Sequence, residues 1–200
     1  PFAMVVPASL PAHSLKEFIA LAKASPNKLT FASVGAGTPQ HLAGELFKMH
    51  AKVDLVHVPF RGATAVLPDL VAGRIDMFIG AVNSLLPLIR EGSLRALATA
   101  SASRIAALPD VPTLAEAGFP GCEVGSGVGL VAPAATPRPI VEKLRTEIVK
   151  NLQMPDVRER CAAVGLEIVG STPAELSAFV KQDMAKWTKV FKDANIPRIE

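Results

Sequence analysis

The chain has 200 residues, half of them hydrophobic and a fifth charged, a balance that builds a sizeable core in one large domain or two small lobes. Its 21 basic and 18 acidic residues leave a net charge of +3; with no Lys/Arg run, no Tyr and one Trp, the composition argues against a nucleic-acid partner. No stretch approaches the ~18–20 apolar residues of a membrane span, and no Cys/His spacing fits zinc, so neither membrane insertion nor a metal or cofactor is expected.

Residues Phe2–Val6 are strand-like and lack the basic and long apolar regions of a signal peptide. Ser14-Leu15-Lys16-Glu17 is a capping-box pattern that opens a helix carrying Leu15, Phe18, Ile19 and Ala22 on one face, with Pro26-Asn27 as its stop. Leu29–Val34 reads as a strand and Gly35-Ala36-Gly37-Thr38 as a loop. Thr38 then caps a helix with Pro39 at its first position, where a missing N–H costs nothing, and Leu42, Leu46, Phe47 and Met49 facing inward. Leu55–Phe60 is the next strand, followed by Arg61-Gly62-Ala63-Thr64 and a helix from about residue 65 to Val71, which Gly73 ends. Ile75–Ile79 is a third strand, Gly80-Ala81-Val82-Asn83 its loop, Leu85–Arg90 a helix ending at Gly92, and Leu94–Thr99 a fourth strand.

Strands alternating with helices over short connections predict a parallel sheet, and their near-continuous apolar runs predict helices on both faces. Residues 29–99 therefore form one α/β lobe. The remainder differs. Ala107–Pro112 is a Pro-rich loop, and Thr113-Leu114-Ala115-Glu116 opens a short helix with a second capping box. Val124–Val131 reads as a Gly-rich strand, Pro137–Leu152 and Pro155–Val164 as helices, and Leu166–Val169 as a short strand. Thr172-Pro173-Ala174-Glu175 caps a last helix whose stripe of Leu176, Phe179, Val180, Met184, Trp187, Val190 and Phe191 is expected to be core. This half has too few strands to stand alone, so a second lobe is expected to be only partly encoded, with roughly a small domain's worth of chain upstream. Cys122 and Cys161 either pair or, the simpler expectation, are two small buried hydrophobes.

In a parallel α/β sheet, ligands bind beyond the carboxyl ends of the strands. Three small-residue loops occupy that edge: Ser33–Thr38, Arg61–Thr64 and Gly80–Asn83. Each leads into a helix N-terminus, where unpaired N–H groups and the dipole favour an anion. Ser33, Thr38 and Asn83 add side-chain donors, while Gly35 and Gly37 let a ligand approach the backbone. The competing reading is three ordinary strand-to-helix turns. A phosphate loop is disfavoured, since neither a Walker pattern nor a dinucleotide fingerprint is present. His41, in the first turn after the Gly loop, either faces the ligand or covers the sheet. His57, inside a strand, reads as a core histidine, and His13 and His50 as surface residues. No nucleophile elbow and no paired carboxylates on adjacent loops argue for catalysis.

With those loops identified, the sequence resembles the extracytoplasmic solute receptors of the tripartite tricarboxylate transporters, the Bug family. The segment from Leu29 to Ala43 is similar to the family's Ser-x-Gly-x-Gly-Thr…His-Leu pattern, and Val58-Pro59-Phe60-Arg61-Gly62 to its Val-Pro-Tyr-Lys-Gly. Leu108-Pro109-Asp110-Val111-Pro112-Thr113 with Glu116-Ala117-Gly118, and Ala132-Pro133-Ala134-Ala135-Thr136-Pro137, resemble two further segments. Phe60 and Arg61 stand where Tyr and Lys are usual, and Gly127 where Trp is frequent. The resemblance implies an α/β fold of the type II periplasmic-binding-protein kind. Residues 6–124 would be the ligand-binding lobe, and residues 1–5 and 125–200 crossover strands and the C-terminal part of the other lobe. It implies a periplasmic receptor, not an enzyme, that captures a small carboxylate (dicarboxylate, tricarboxylate, amino acid or aromatic acid) for membrane permease subunits. Ser33, Gly35, Ala36, Gly37, Thr38 and His41 match its first loop, and Arg61, Gly62 and Ala63 its second; Gly80, Ala81 and Asn83 complete the expected site. The alternatives are a ligand-sensing effector domain of a transcriptional regulator, which shares the fold, and an α/β enzyme acting on a phosphate-type substrate.

Overall fold

The computed structural model describes residues 1–125, 127–163 and 166–193. Five strands, β1 (Phe2–Pro7), β2 (Thr30–Ser33), β3 (Val56–Pro59), β4 (Met77–Ala81) and β5 (Leu94–Thr99), form one sheet in the order β3-β2-β4-β1-β5. Four helices connect them: α1 (Leu15–Ala24), α2 (Pro39–Ala51), α3 (Ala63–Val71) and α4 (Val82–Arg90).

The sheet is mixed rather than all parallel. β2 pairs parallel with β3 and β4, but β1 lies antiparallel between β4 and β5. The four strands expected to be parallel do share one direction; the fifth comes from the first residues of the chain. Phe2–Pro7, which spans the boundary expected at residue 6, is one continuous strand inside the sheet. Every residue of this strand is buried, because it has neighbours on both sides and helices on both faces.

Side-chain alternation distributes the core. Phe2, Met4 and Val6 of β1, Phe31 of β2, and Met77 and Ile79 of β4 point to one face, where they meet Leu15, Phe18, Leu42, Leu46 and Phe47 of α1 and α2. Ala3, Val5, Ala32 and Phe78 point to the other, against Val66 and Leu70 of α3 and Leu85 and Leu86 of α4. Met49, expected to face inward on α2, is instead exposed, and Ile19 only half-buried.

Local signals hold with informative exceptions. Ser14 Oγ accepts from Glu17 N–H at 3.2 Å, but the Glu17 carboxylate accepts from His13 N–H at 2.7 Å, one residue further back than a capping box requires. Thr113 and Glu116 form the full reciprocal pair (3.0 and 2.9 Å), although the segment closes a turn rather than a helix. β4 runs directly into α4, so the expected loop Gly80–Asn83 is absent: Gly80 and Ala81 end the strand, and Val82 and Asn83 begin the helix.

Beyond residue 124 the packing thins. Helices α5 (Arg138–Leu152) and α6 (Pro155–Ala163) bury no residue, and α7 (Pro173–Asp193) buries Val190 alone. The expected core stripe of α7 is thus corrected. Phe179, Val180 and Met184 are exposed, and only its C-terminal turns, with Trp187 and Phe191, pack against the first core. The expected strands at 124–131 and 166–169 are not strands among the described residues; Val128, Leu130 and Val131 are exposed. Ser126, within the first of these, and Val164, the expected end of the helix from Pro155, lie outside the described residues. Cys122 is buried, Cys161 half-buried, and both are free thiols.

Candidate functional site

Because β2, β3 and β4 are parallel, their carboxyl ends share one edge of the sheet. Ser33 is opposite Pro59, and Ala32 opposite Phe78, so residues 33–38, residues 61–64 and the start of α4 are neighbours there. β1 runs the other way, which brings Phe2 to the same edge opposite Ala81. The chain also leaves the sheet here. Ala100 N–H donates to Phe2 O (2.8 Å) and Val124 N–H to Ala100 O (2.7 Å).

The first loop is stitched by its own hydrogen bonds. Gly35 N–H donates to Ser33 Oγ (3.2 Å) and Gly37 N–H to His41 Nδ1 (3.0 Å). Thr38 Oγ1 donates to Gly35 O (2.7 Å), so the hydroxyl expected to cap α2 closes the loop instead. Gly37 sits at φ +74°, a conformation L side chains rarely adopt. Ser33 is fully buried; its hydroxyl also donates to Gly35 O (2.9 Å) and lies 2.7 Å from His57 Nε2. Two of the expected ligand-facing groups, Ser33 Oγ and the Gly37 amide, are therefore engaged within the loop.

Other donors are left over. The amides of Ala36, in the loop, and of Gln40 and His41, in the first turn of α2, have no acceptor among the described residues. The same holds for Gly62, Ala63 and Thr64 at the start of α3, and Asn83 stands in the first turn of α4. The unpaired amides are the orphan donors of two helix N-termini, gathered with the start of α4 at one edge. Gly62 starts α3 at φ +100° with open space where a side chain would be. Arg61 beside it is exposed and makes no ion pair among the described residues. Gly80 is buried: its backbone pairs with Ala3, and the ring of Phe78 fills the space a Cβ would take. Ala81 caps α4, and Asn83 is exposed on its first turn.

His41 is buried and covers the sheet. Its ring stacks on His57, with centroids 3.8 Å apart and planes 10° from parallel, and Phe31 stacks beyond His57 at 4.9 Å. His57 is only half-buried, not a core histidine. Burial first, then the neighbouring His41 and Lys48, lowers its pKa to about 4; burial also lowers that of His41 against the pull of Glu45. Both rings are neutral at physiological pH. The sequence holds no signal for Gln40, whose buried Oε1 lacks a partner among the described residues, and none that sets His57 in the site rather than the core. His57 is the cross-strand neighbour of Phe31, a relation no sequence spacing displays. A separate open groove of about 530 Å³ lies beside α1 and β5, lined by residues such as Lys16, Ala96, Asp110 and Phe119, and no expected site residue borders it.

The family described as "Tripartite tricarboxylate transporter family receptor" matches residues 1–196. A curated relative from Pseudomonas sp. (strain P51), the "UPF0065 protein in tcbD-tcbE intergenic region", is 42% identical over 191 residues, covering 95% of this chain and 57% of that protein. The chain thus spans about three fifths of the length of such relatives. Among solved structures, R. palustris Rpa4515 with adipate superposes with a TM-score of 0.86 at 33% identity, over all of this chain and 67% of that one. Periplasmic binding protein BugD gives 0.84 at 30%, over 99% and 67%. MatC from Rhodopseudomonas palustris with bound malate gives 0.80 at 33%, over 95% and 66%.

Proposed function

The chain belongs to the tripartite tricarboxylate transporter receptor family, and from that membership we propose that it captures a small carboxylate at the edge where α2, α3 and α4 begin. The fold is that of periplasmic binding proteins, and the relatives are solute-binding receptors, not enzymes. The family match over residues 1–196 leaves nothing to favour the regulator or enzyme alternatives.

The observation that carries the reading is the convergence of unpaired amides at two adjacent helix N-termini beside the exposed guanidinium of Arg61. A carboxylate there would meet N–H donors from Ala36, Gln40 and His41, from Gly62 and Ala63, and from the Asn83 side chain. Gly35, Gly37 and Thr38 shape the first loop, Ser33 anchors it, and Gly80 and Ala81 set where α4 starts. The ligand class we favour is the aliphatic dicarboxylate, because the superposed structures hold adipate and malate. In this reading the five-stranded sheet with α1–α4, out to residue 124, is the ligand-binding lobe, and residues 125–200, whose helices bury little, belong with a second lobe that closes over the ligand. Closure matters energetically. Charge-assisted hydrogen bonds contribute roughly 1.5–3 kcal/mol each, and micromolar affinity needs about 8 kcal/mol, so a few amides suffice only where water is excluded. The receptor would work in the periplasm and hand its ligand to membrane permease subunits. Among the described residues no helix is long and apolar enough to cross a membrane itself.

Calorimetric titration with adipate and malate tests the site. Arg61→Ala should weaken binding roughly tenfold or more, the value of one charged hydrogen bond, without lowering the melting temperature. Unchanged affinity in that variant and in Gly62→Val would refute the assignment.

A further inference from the structure

We propose that His41 and His57, stacked face to face against the first loop, are positioning residues that hold residues 33–38 in their observed shape, His41 only while its ring is uncharged. The inference rests on reading that loop as part of the carboxylate site.

Proton counting carries it. A backbone amide can only donate, so the 3.0 Å contact of Gly37 N–H with His41 Nδ1 requires that nitrogen to be bare. The ring proton is then on Nε2, which lies 3.8 Å from Glu45 Oε1. Protonating His41 would set N–H against N–H and release Gly37. Ser33 Oγ accepts from Gly35 N–H and gives its single proton to Gly35 O, which leaves His57 Nε2 as donor in the 2.7 Å contact with Ser33 Oγ. Each histidine therefore holds one end of the loop, His57 through Ser33 and His41 through Gly37.

The stack couples the two ends. At 3.8 Å between centroids, a charge on either ring falls on the face of the other. The remaining charged groups on the pair come from α2. Glu45 favours a charged His41, but it is bound by Lys48 Nζ at 2.9 Å, and Lys48 opposes charge on both rings. From β2 the pair meets the Phe31 ring and the Ser33 hydroxyl, neither of which stabilises a cation by ion pairing. Neutrality is thus set by the packing and not by one contact, and acid is the condition that loosens the loop.

Nuclear magnetic resonance on the ¹⁵N-labelled chain tests this without a ligand. At pH 7 the imidazole nitrogens of His41 should report a bare Nδ1 and a protonated Nε2. His41→Phe keeps a ring in the stack but removes the acceptor, and Gly37 amide exchange should rise roughly two- to tenfold, the worth of one net hydrogen bond. His41→Asn, whose Oδ1 stands where Nδ1 was, should restore the protection. Adipate affinity should fall in His41→Phe, recover in His41→Asn, and in the natural chain decline as acid charges His41. A His41 protonated on Nδ1 at pH 7, or a Gly37 amide unchanged in His41→Phe, would overturn the inference. If the natural chain binds neither adipate nor malate, the carboxylate reading fails by itself, and the tautomer and exchange measurements still decide the positioning role.

Discussion

Gly44→Ala is the most direct test of how α2 seats on the sheet. Gly44 is buried in α2, and a Cβ there would lie 3.1 Å from Phe31 Cζ and closer still to Cε2 and Cδ2. Phe31 is 1% exposed and cannot step aside freely. Its ring is stacked on His57 at 4.9 Å, and Lys48 Nζ stands 5.5 Å from its centroid. Overpacking a tight site costs about 1–3 kcal/mol, while replacing Gly by Ala in a helix returns about 1 kcal/mol. The expected net loss is about 1 kcal/mol, which for a chain of this size lowers the melting temperature by about 2–4 °C. Thermal unfolding followed by circular dichroism reads this directly. Pairing the change with Phe31→Leu, which withdraws the ring, should recover part of the loss and give a coupling of the opposite sign. A melting temperature that rises in Gly44→Ala would mean that α2 gained propensity with no clash. The close packing of α2 on Phe31, and with it the geometry of the histidine stack, would then be wrong.

Four further outcomes are expected. Stability should rise with pH between about 4 and 6.5: His57 titrates near 4 when folded and near 6.5 when unfolded, so the unfolded chain binds more protons in that window; denaturant midpoints flat across it would contradict the burial of the pair. Cys161 should react promptly with a thiol reagent at neutral pH, whereas Cys122, buried and with its pKa pushed up to about 11, should react only on unfolding; equal rates would refute that placement. Gly80→Ala should destabilise by about 1–3 kcal/mol, because its Cβ would meet the Phe78 ring with atoms at 2.8 and 2.9 Å; a neutral result in chemical denaturation would show that the ring has room. Thr172→Ala removes the hydroxyl that accepts from Glu175 N–H at 3.2 Å and should cost about 1 kcal/mol, read as earlier fraying of α7 by amide exchange; unaltered exchange in its first turn would discount the cap.

What the sequence by itself determined is the local and periodic part of this protein. The three βα steps and closing strand from residue 29 to 99 were legible because each strand is an apolar run and each helix opens or closes on a residue with a backbone reason: Pro39 at a first turn, Gly73 and Gly92 just past an end. The three small-residue junctions at helix starts were legible for the same reason. Tertiary structure alone decided the rest. That Phe2–Val6 lies in the sheet depended on pairing with β4 and β5, residues more than seventy positions away, and no local pattern encodes such a partner. The α7 stripe has helical spacing, but spacing says only that residues share a face; Met184 is exposed and Val190 buried because only the last turns of α7 reach the core under α2. The loop at Gly80–Asn83 vanished because β4 hands its last residue directly to α4. His41 and His57 became one unit because Phe31 and His57 fall opposite each other in parallel register, and that alignment exists only once β2 and β3 are side by side.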